Sequence, residues 1–185
     1  MKQSLDVIYV NFLCYEEIKK SIKSFCVLVE SLDIEFNIFI FDNSFHITNS
    51  LIIHKFQEDL NKFKLVKNIF IKFYPSNSNY GFGSGCNKAV REGSSEKIII
   101  VNPDTRFDKT DPIYFQEFIK ECNEKDVIIG PKIVNEKGLI HASCFSFDPV
   151  SIFFKPLRHI RHIGNKTKFI PEYKFFKKRI DRITY

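Results

Sequence analysis

Tryptophan is absent from this chain, methionine occurs once, and cysteine occurs five times. The cysteines are Cys14, Cys26, Cys86, Cys122 and Cys144, an odd number with no CxxC pair. A zinc knuckle or a disulfide framework is therefore not expected. Cys26 and Cys122 fall on apolar faces of predicted helices, where free thiols are ordinary core residues. That usage fits the reducing cytoplasm. No apolar run approaches the ~20 residues that a membrane span needs. The N-terminus, Met1-Lys2-Gln3-Ser4-Leu5-Asp6, is polar and runs straight into a strand pattern, so no signal peptide is expected. There is no internal repeat and no low-complexity tract. The Gly-rich segment contains no GxGxxG, because Gly81, Gly83 and Gly85 alternate, and no Lys-Ser/Thr follows it. The dinucleotide fingerprint and the P-loop are both excluded.

What the chain does have is apolar content of 44%, charged content of 27% and 21 phenylalanines in 185 residues. That is enough to bury a core, and the phenylalanines read as core aromatics rather than as a binding signal. The net charge of +6 is uneven. Lys155 to Arg182 holds ten Lys or Arg against Glu172 and Asp181, a balance of +8 that leaves −2 for the remainder. The basic character belongs to a tail.

Leu5 to Phe12 reads as a buried strand. A helix follows, with Ile18, Ile22, Phe25, Val29 and Leu32 on one face. Asn37 to Phe41 is a second strand ending in Asp42-Asn43-Ser44. Residues 50–64 form a helix with Ile53, Phe56, Leu60 and Phe63 inward. Asn68 to Tyr74 is a third strand. A Gly-rich loop over residues 77–85 opens a short helix through Val90. Lys97 to Val101 is a fourth, wholly apolar strand ending in Asn102-Pro103-Asp104. Asp111-Pro112 caps a helix carrying Phe115, Phe118, Ile119 and Cys122. Asp126 to Gly130 is a fifth strand, and Lys137-Gly138 a turn. Continuous apolar strands alternating with amphipathic helices imply an α/β fold, a mainly parallel central sheet with helices on both faces. Ligands bind such sheets beyond the carboxyl ends of the strands. After about residue 150 the alternation stops.

Three polar clusters fall at those ends: Asn11, Asp42-Asn43-Ser44 and Asn102-Pro103-Asp104. Asp104 offers a carboxylate to Mg²⁺ or Mn²⁺ against a diphosphate, since hard divalent ions take oxygen ligands. A turn closing the strand is the plainer account of Asn-Pro-Asp on its own. Asp42 is placed to accept hydrogen bonds from a base or ribose, and it too reads as a turn residue. In Asn79-Tyr80-Gly81-Phe82-Gly83-Ser84-Gly85-Cys86-Asn87 the glycines permit close backbone approach, and the two asparagines supply amides. His141, His159 and His162 lack metal-ligand company.

Taken in order, Val7-Ile8-Tyr9-Val10-Asn11, Asp42-Asn43-Ser44, Asn79-x-Gly81-Phe82-Gly83-x-Gly85-x-Asn87 and Ile100-Val101-Asn102-Pro103-Asp104 resemble the family 2 glycosyltransferases, particularly the rhamnosyltransferase-like branch. The resemblance covers roughly residues 5–150. It implies a GT-A fold and a hexosyltransferase that inverts the sugar it transfers. The donor is a UDP- or dTDP-sugar, the acceptor a glycan or a lipid-linked glycan, the metal divalent, and the setting surface polysaccharide synthesis. It puts Asn11 in the nucleotide pocket, Asp42 in contact with the base, Asn43 among the nucleotide-sugar-binding residues, and Asn79, Gly81, Phe82, Gly85 and Asn87 over the donor. Asn102-Pro103-Asp104 occupies the place of the family's Asp-x-Asp motif, with Asp104 as metal or diphosphate ligand and Asn102 where the family has its first acid.

The family's catalytic base lies in an acidic motif further along, after a Gly-rich segment. Neither occurs before Tyr185, and Asp181 is better read as a partner for Arg179 or Arg182. The expected organisation is a nucleotide-sugar-binding domain over residues 1–150 and a basic, aromatic-rich segment over 151–185. Donor binding with poor turnover is then expected, which leaves open a non-catalytic nucleotide-sugar-binding module working with a partner subunit, or a homo-oligomer. Residues 151–182 interleave Phe153, Phe154, Ile160, Ile163, Phe169, Phe175 and Phe176 with the basic residues. Peripheral attachment to anionic lipid at the inner face of the plasma membrane is one account of them. A partial acceptor-side region with solvated charges is the plainer one. Nucleic acid is not an expected partner, because the domain carrying the pocket is not positive.

Overall fold

The computed structural model describes residues 3–121, 131, 133–134 and 139–141. The chain divides into two compact units, Met1–Lys120 and Glu121–Tyr185. The first is an α/β unit. Its sheet is built from β1 (Ser4–Asn11), β2 (Glu35–Asp42), β3 (Ile69–Pro75) and β4 (Ile98–Val101). All pairings are parallel, in the order β3-β2-β1-β4. In the second unit, β5 (Ile133–Val134) pairs antiparallel with β6 (Ile140–His141).

The order dictates where the helices lie. The chain steps outward from β1 to β2 to β3, then returns across the sheet to β4 on the other side of β1. Parallel crossovers are right-handed, so reversing the direction of travel reverses the face that is covered. α1 (Tyr15–Val29) and α2 (Ser50–Phe63) accordingly share one core with Val7 and Tyr9 of β1 and Phe36, Ile38 and Ile40 of β2. α3 (Gly81–Arg91) covers the opposite face, where Cys86 and Ala89 pack on Ile8, Val10, Phe39 and Phe41. The continuous apolar runs of β1 and β2 are needed because both of their faces are covered.

α4 (Pro112–Glu121) begins as the sequence implied. The Asp111 carboxylate accepts the Ile113 N–H at 2.7 Å, and Pro112 stands at the first helical position, where no N–H is required. Its Phe115 and Ile119 join the α1 core. Phe25 lies at the centre, edge-on to Phe36, Phe107 and Phe115 with ring centroids 5.3, 5.1 and 6.0 Å away. Each such pair adds about 0.5–1.5 kcal/mol beyond the area it buries. Much of the phenylalanine excess is spent here.

Two expectations are corrected. Gly81, Gly83 and Gly85 are not in a loop, because α3 begins at Gly81. And β4 is not covered on both sides: Ile98 and Ile100 point to the α3 face yet are 43% and 54% exposed, because α3 lies over β1 and β2. The expected fifth strand at Asp126–Gly130, the turn at Lys137-Gly138, Cys122 and the segment 151–185 lie outside the described residues, as do His159 and His162.

At the amino end of the sheet, Asp6 is buried and takes hydrogen bonds from the Ser95 N–H, the Ser95 hydroxyl and the Asn37 amide at 3.0, 2.7 and 3.0 Å. This fixes the turn that feeds β4. Gly93 is part of the same arrangement, since a Cβ there would meet the Asp6 carboxylate. Gly93→Ala is expected to lower stability by about 1–3 kcal/mol through overpacking, measured by urea denaturation followed by circular dichroism. Gly83→Ala, with open space around its Cβ position, is the control and should lose none.

Alkaline stability follows from burial. Burial pushes the Cys26 thiol from an ordinary 9.0 up to about 12 and raises the Tyr9 and Tyr15 hydroxyls. Above about pH 9 the unfolded chain releases protons that the folded chain retains. Stability should therefore be flat below that point and fall above it, by up to about 1.4 kcal/mol per pH unit for each group. Denaturation midpoints under reducing conditions between pH 8 and 11 would check this.

Candidate functional site

The strand register brings the carboxyl-end polar residues together. Asn11 sits beside Asp42 across the β1–β2 ladder, and Asp42 beside Pro75 across β2–β3. Asn11 and Asp42 are both 0% exposed. Asp42 is held by four donors. Its Oδ1 accepts from the Asn11 amide at 2.9 Å, the Ser44 N–H at 2.9 Å and the Ser44 hydroxyl at 2.7 Å. Its Oδ2 accepts from the Tyr15 hydroxyl at 2.6 Å. The Tyr15 hydroxyl also lies 3.0 Å from the Thr48 hydroxyl, and Thr48 donates to the Ser44 carbonyl at 2.7 Å. Burial, then the bond to Asp42, pushes the Tyr15 hydroxyl's pKa up. Tyr15 and Thr48 were not singled out from sequence, and Ser44 only as the last residue of its cluster. The Asp-Asn-Ser triplet pointed toward Ser44, but nothing in the local pattern pairs it with a tyrosine 29 positions earlier.

Asn11 also shapes the β1–α1 turn. Its side-chain oxygen accepts the Cys14 N–H at 2.9 Å, and the Leu13 N–H donates to the Ser44 hydroxyl at 3.0 Å. Leu13 is thereby held at φ 59°, a left-handed conformation that a branched-chain residue rarely adopts and that clusters at functional sites. Phe12 and Leu13 are exposed.

Asn43 ties β2 to the start of α3. Its amide donates to the Gly81 carbonyl at 3.0 Å and its oxygen accepts the Tyr80 N–H at 3.2 Å. The Asn79 side chain accepts the Gly81 N–H at 2.9 Å. Gly81 has φ +77°, with no heavy atom near a Cβ position, whereas a Cβ on Gly85 would fall 2.8 Å from Val10 Cγ1. These glycines differ in purpose: Gly81 makes the turn, and Gly85 lets α3 lie close on β1. The first turn of α3 is open to solvent at Gly81, Phe82, Gly83 and Ser84. A helix start carries unbonded N–H groups and partial positive charge, and so attracts anions. Asn87 is exposed one turn further on. The Lys88 ammonium lies 3.1 Å from the Tyr80 ring centroid. The Ser78 hydrogen bond, then the Lys88 charge, lowers the Tyr80 hydroxyl's pKa.

Asn102-Pro103-Asp104-Thr105 is a turn closed by the Thr105 N–H on the Asn102 carbonyl at 3.0 Å. Asn102 and Asp104 are exposed. The Cys14 thiol is raised by burial and then by the charges of Glu17 and Asp104, so Asp104 stands near the β1–α1 turn. That is the switch point of the sheet, between β1 and β4, where open α/β folds bind their ligands. Arg106 fixes the segment by donating to the Glu17 carbonyl at 3.2 Å.

The predicted residues thus sort into two groups. Asn11, Asp42, Asn43, Asn79 and Gly81 are joined through hydrogen bonds, with Gly85 packed beneath. Phe82, Asn87, Asn102 and Asp104 face solvent. Among the described residues no group of three or more His, Cys, Asp or Glu side chains is arranged to hold a metal ion. A lone exposed carboxylate suits an ion that takes most of its ligands from a diphosphate and water, and Asp104 fits that description. Among the described residues no helix is long and apolar enough to cross a membrane. No family model matches the sequence, and no curated protein matches it.

Asp42→Asn would place an amide donor against donors that now meet a carboxylate. It is expected to cost about 1–3 kcal/mol. Asp104→Asn, at an exposed turn, should stay within about 0.5 kcal/mol of the parent. Thermal denaturation of the two variants side by side checks the contrast.

Proposed function

We propose that the chain is the donor-binding part of a glycosyltransferase with a GT-A fold. It takes a UDP- or dTDP-sugar and passes the sugar, with inversion, to a glycan or lipid-linked acceptor in surface polysaccharide synthesis. The observations that support this reading are an open, glycine-lined helix start clamped by Asn43 after β2 and the exposed Asp104 carboxylate after β4, both at carboxyl ends of strands of the same sheet. A nucleotide diphosphate needs both: N–H groups for its oxygens, and a carboxylate that can share a Mg²⁺ or Mn²⁺ ion with them.

The residues take distinct roles. Asp42 and Asn11 spend their polar atoms on each other and on Tyr15 and Ser44, so they hold the pocket wall rather than grip the base directly. Phe12, Leu13 and Tyr80 offer exposed apolar surface to a base. Gly81 to Ser84, with Asn79 and Asn87 nearby, close over the donor, and Asn102 holds the turn that presents Asp104. A bound divalent ion would offset charge on the leaving diphosphate. The second reading is a nucleotide-sugar-binding module without turnover, acting with a partner subunit. It is favoured by Asn102, which leaves Asp104 as the sole acid of its motif.

Calorimetric titration with UDP and dTDP, with and without Mn²⁺, tests the proposal. One nucleotide should bind, Mn²⁺ should tighten it, and Asp104→Ala should cancel the metal's contribution, about tenfold or 1.4 kcal/mol. No binding of either nucleotide sinks the reading. Binding without sugar transfer to any offered acceptor selects the module.

A further inference from the structure

Far from the switch point, β3 forms an edge of the sheet, and among the described residues no strand pairs with its outer side. The Asn68 carbonyl and the Ser76 N–H bond inward to β2. Alternate residues of a parallel strand turn to opposite neighbours, so Ile71 and Phe73 turn their peptide groups outward. Such groups are a ready template for another strand. Between this edge and α2 runs a groove of about 510 Å³. Its apolar lining is Leu60, Ile71 and Phe73, and its polar lining includes Asn61, Lys64 and Lys72.

The charge of the lining is one-sided. Lys64 and Lys72 are exposed, and among the described residues no acid lines the groove. Lysine on an edge strand opposes pairing between two copies of the same edge, because it sets like charges against each other. It favours a strand of opposite charge.

We propose that the groove between β3 and α2 docks an extended peptide segment in which apolar and acidic residues alternate, added to the sheet beside β3. The alternation follows from strand geometry. Side chains on the α2 side meet Leu60, Ile71 and Phe73. Those on the other side meet Lys72 and the exposed ring of Phe70. The outward N–H and C=O groups of Ile71 and Phe73 supply the main-chain bonds, as in other strand-addition sites. The occupant is a protein, which sets this surface apart from the proposed nucleotide site.

The probe is the blocked hexapeptide acetyl-Val-Glu-Val-Glu-Val-Glu-amide, titrated into ¹⁵N-labelled full-length protein. The Ile71 and Phe73 amides should shift and exchange more slowly with solvent. The double variant Lys64→Glu/Lys72→Glu, whose side chains are exposed and whose fold circular dichroism would verify, should bind at least tenfold more weakly. The same peptide with lysine in place of glutamate should not bind. Absence of shifts at those amides at millimolar peptide overturns the proposal. So does equal binding of the lysine peptide, or an unaffected variant. Protection of the two amides that grows with protein concentration alone would mean that a second copy occupies the edge, and that also overturns it.

Discussion

A buried carboxylate governs the carboxyl edge of this sheet. Among the described residues no cation pairs with Asp42, and the cost of burying it is met by hydrogen bonds. The Asn11 amide, the Ser44 N–H and hydroxyl and the Tyr15 hydroxyl supply them. Those donors come from β1, from the start of α1 and from the turn after β2. Satisfying one charge therefore fixes three segments at once, and the turn that strains Leu13 is a consequence. The next residue, Asn43, extends the same edge to α3. What surrounds the switch point is set less by apolar packing than by the need to leave no buried polar group unpaired.

The sheet and its helices were readable because their signals are repetitive. β1 and β2 are apolar on both faces, and α1 and α2 repeat their apolar residues with helical period. Strand ends came within two residues. The start of α4 was readable from Asp111-Pro112 because capping is local chemistry. What escaped was whatever depends on distant partners. The glycines of α3 read as loop residues because intrinsic propensity disfavours them in helices by about 1 kcal/mol each. The contacts that override this, from Asn43 and from Val10, lie more than 35 residues away in the chain. The exposure of Ile98 and Ile100 was hidden for a similar reason, since which face a helix covers is decided by strand order.

At the candidate site the polar clusters were visible and their division of labour was not. Asn11 and Asp42 are conspicuous in sequence as polar residues ending apolar strands. Only the ladder that sets them side by side reveals that they face each other. Phe82, Asn87, Asn102 and Asp104 are joined by no such bonds and face solvent. The Asn-Pro-Asp segment is a closed turn after β4 that leaves the Asp104 carboxylate exposed.

The two faces of the sheet are unequal partners. One side is sealed by three helices and a stack of phenylalanine rings. Among the described residues the other has one helix, whose first turn is built on glycine and anchored by the Asn43 and Asn79 side chains. Local opening is drawn from the least buried parts of a fold, so α3 can loosen while the opposite layer stays intact. An anion bound at its first turn would then act as a missing piece of structure. It would stiffen that face selectively, and the order of this half of the protein would report whether the site is filled.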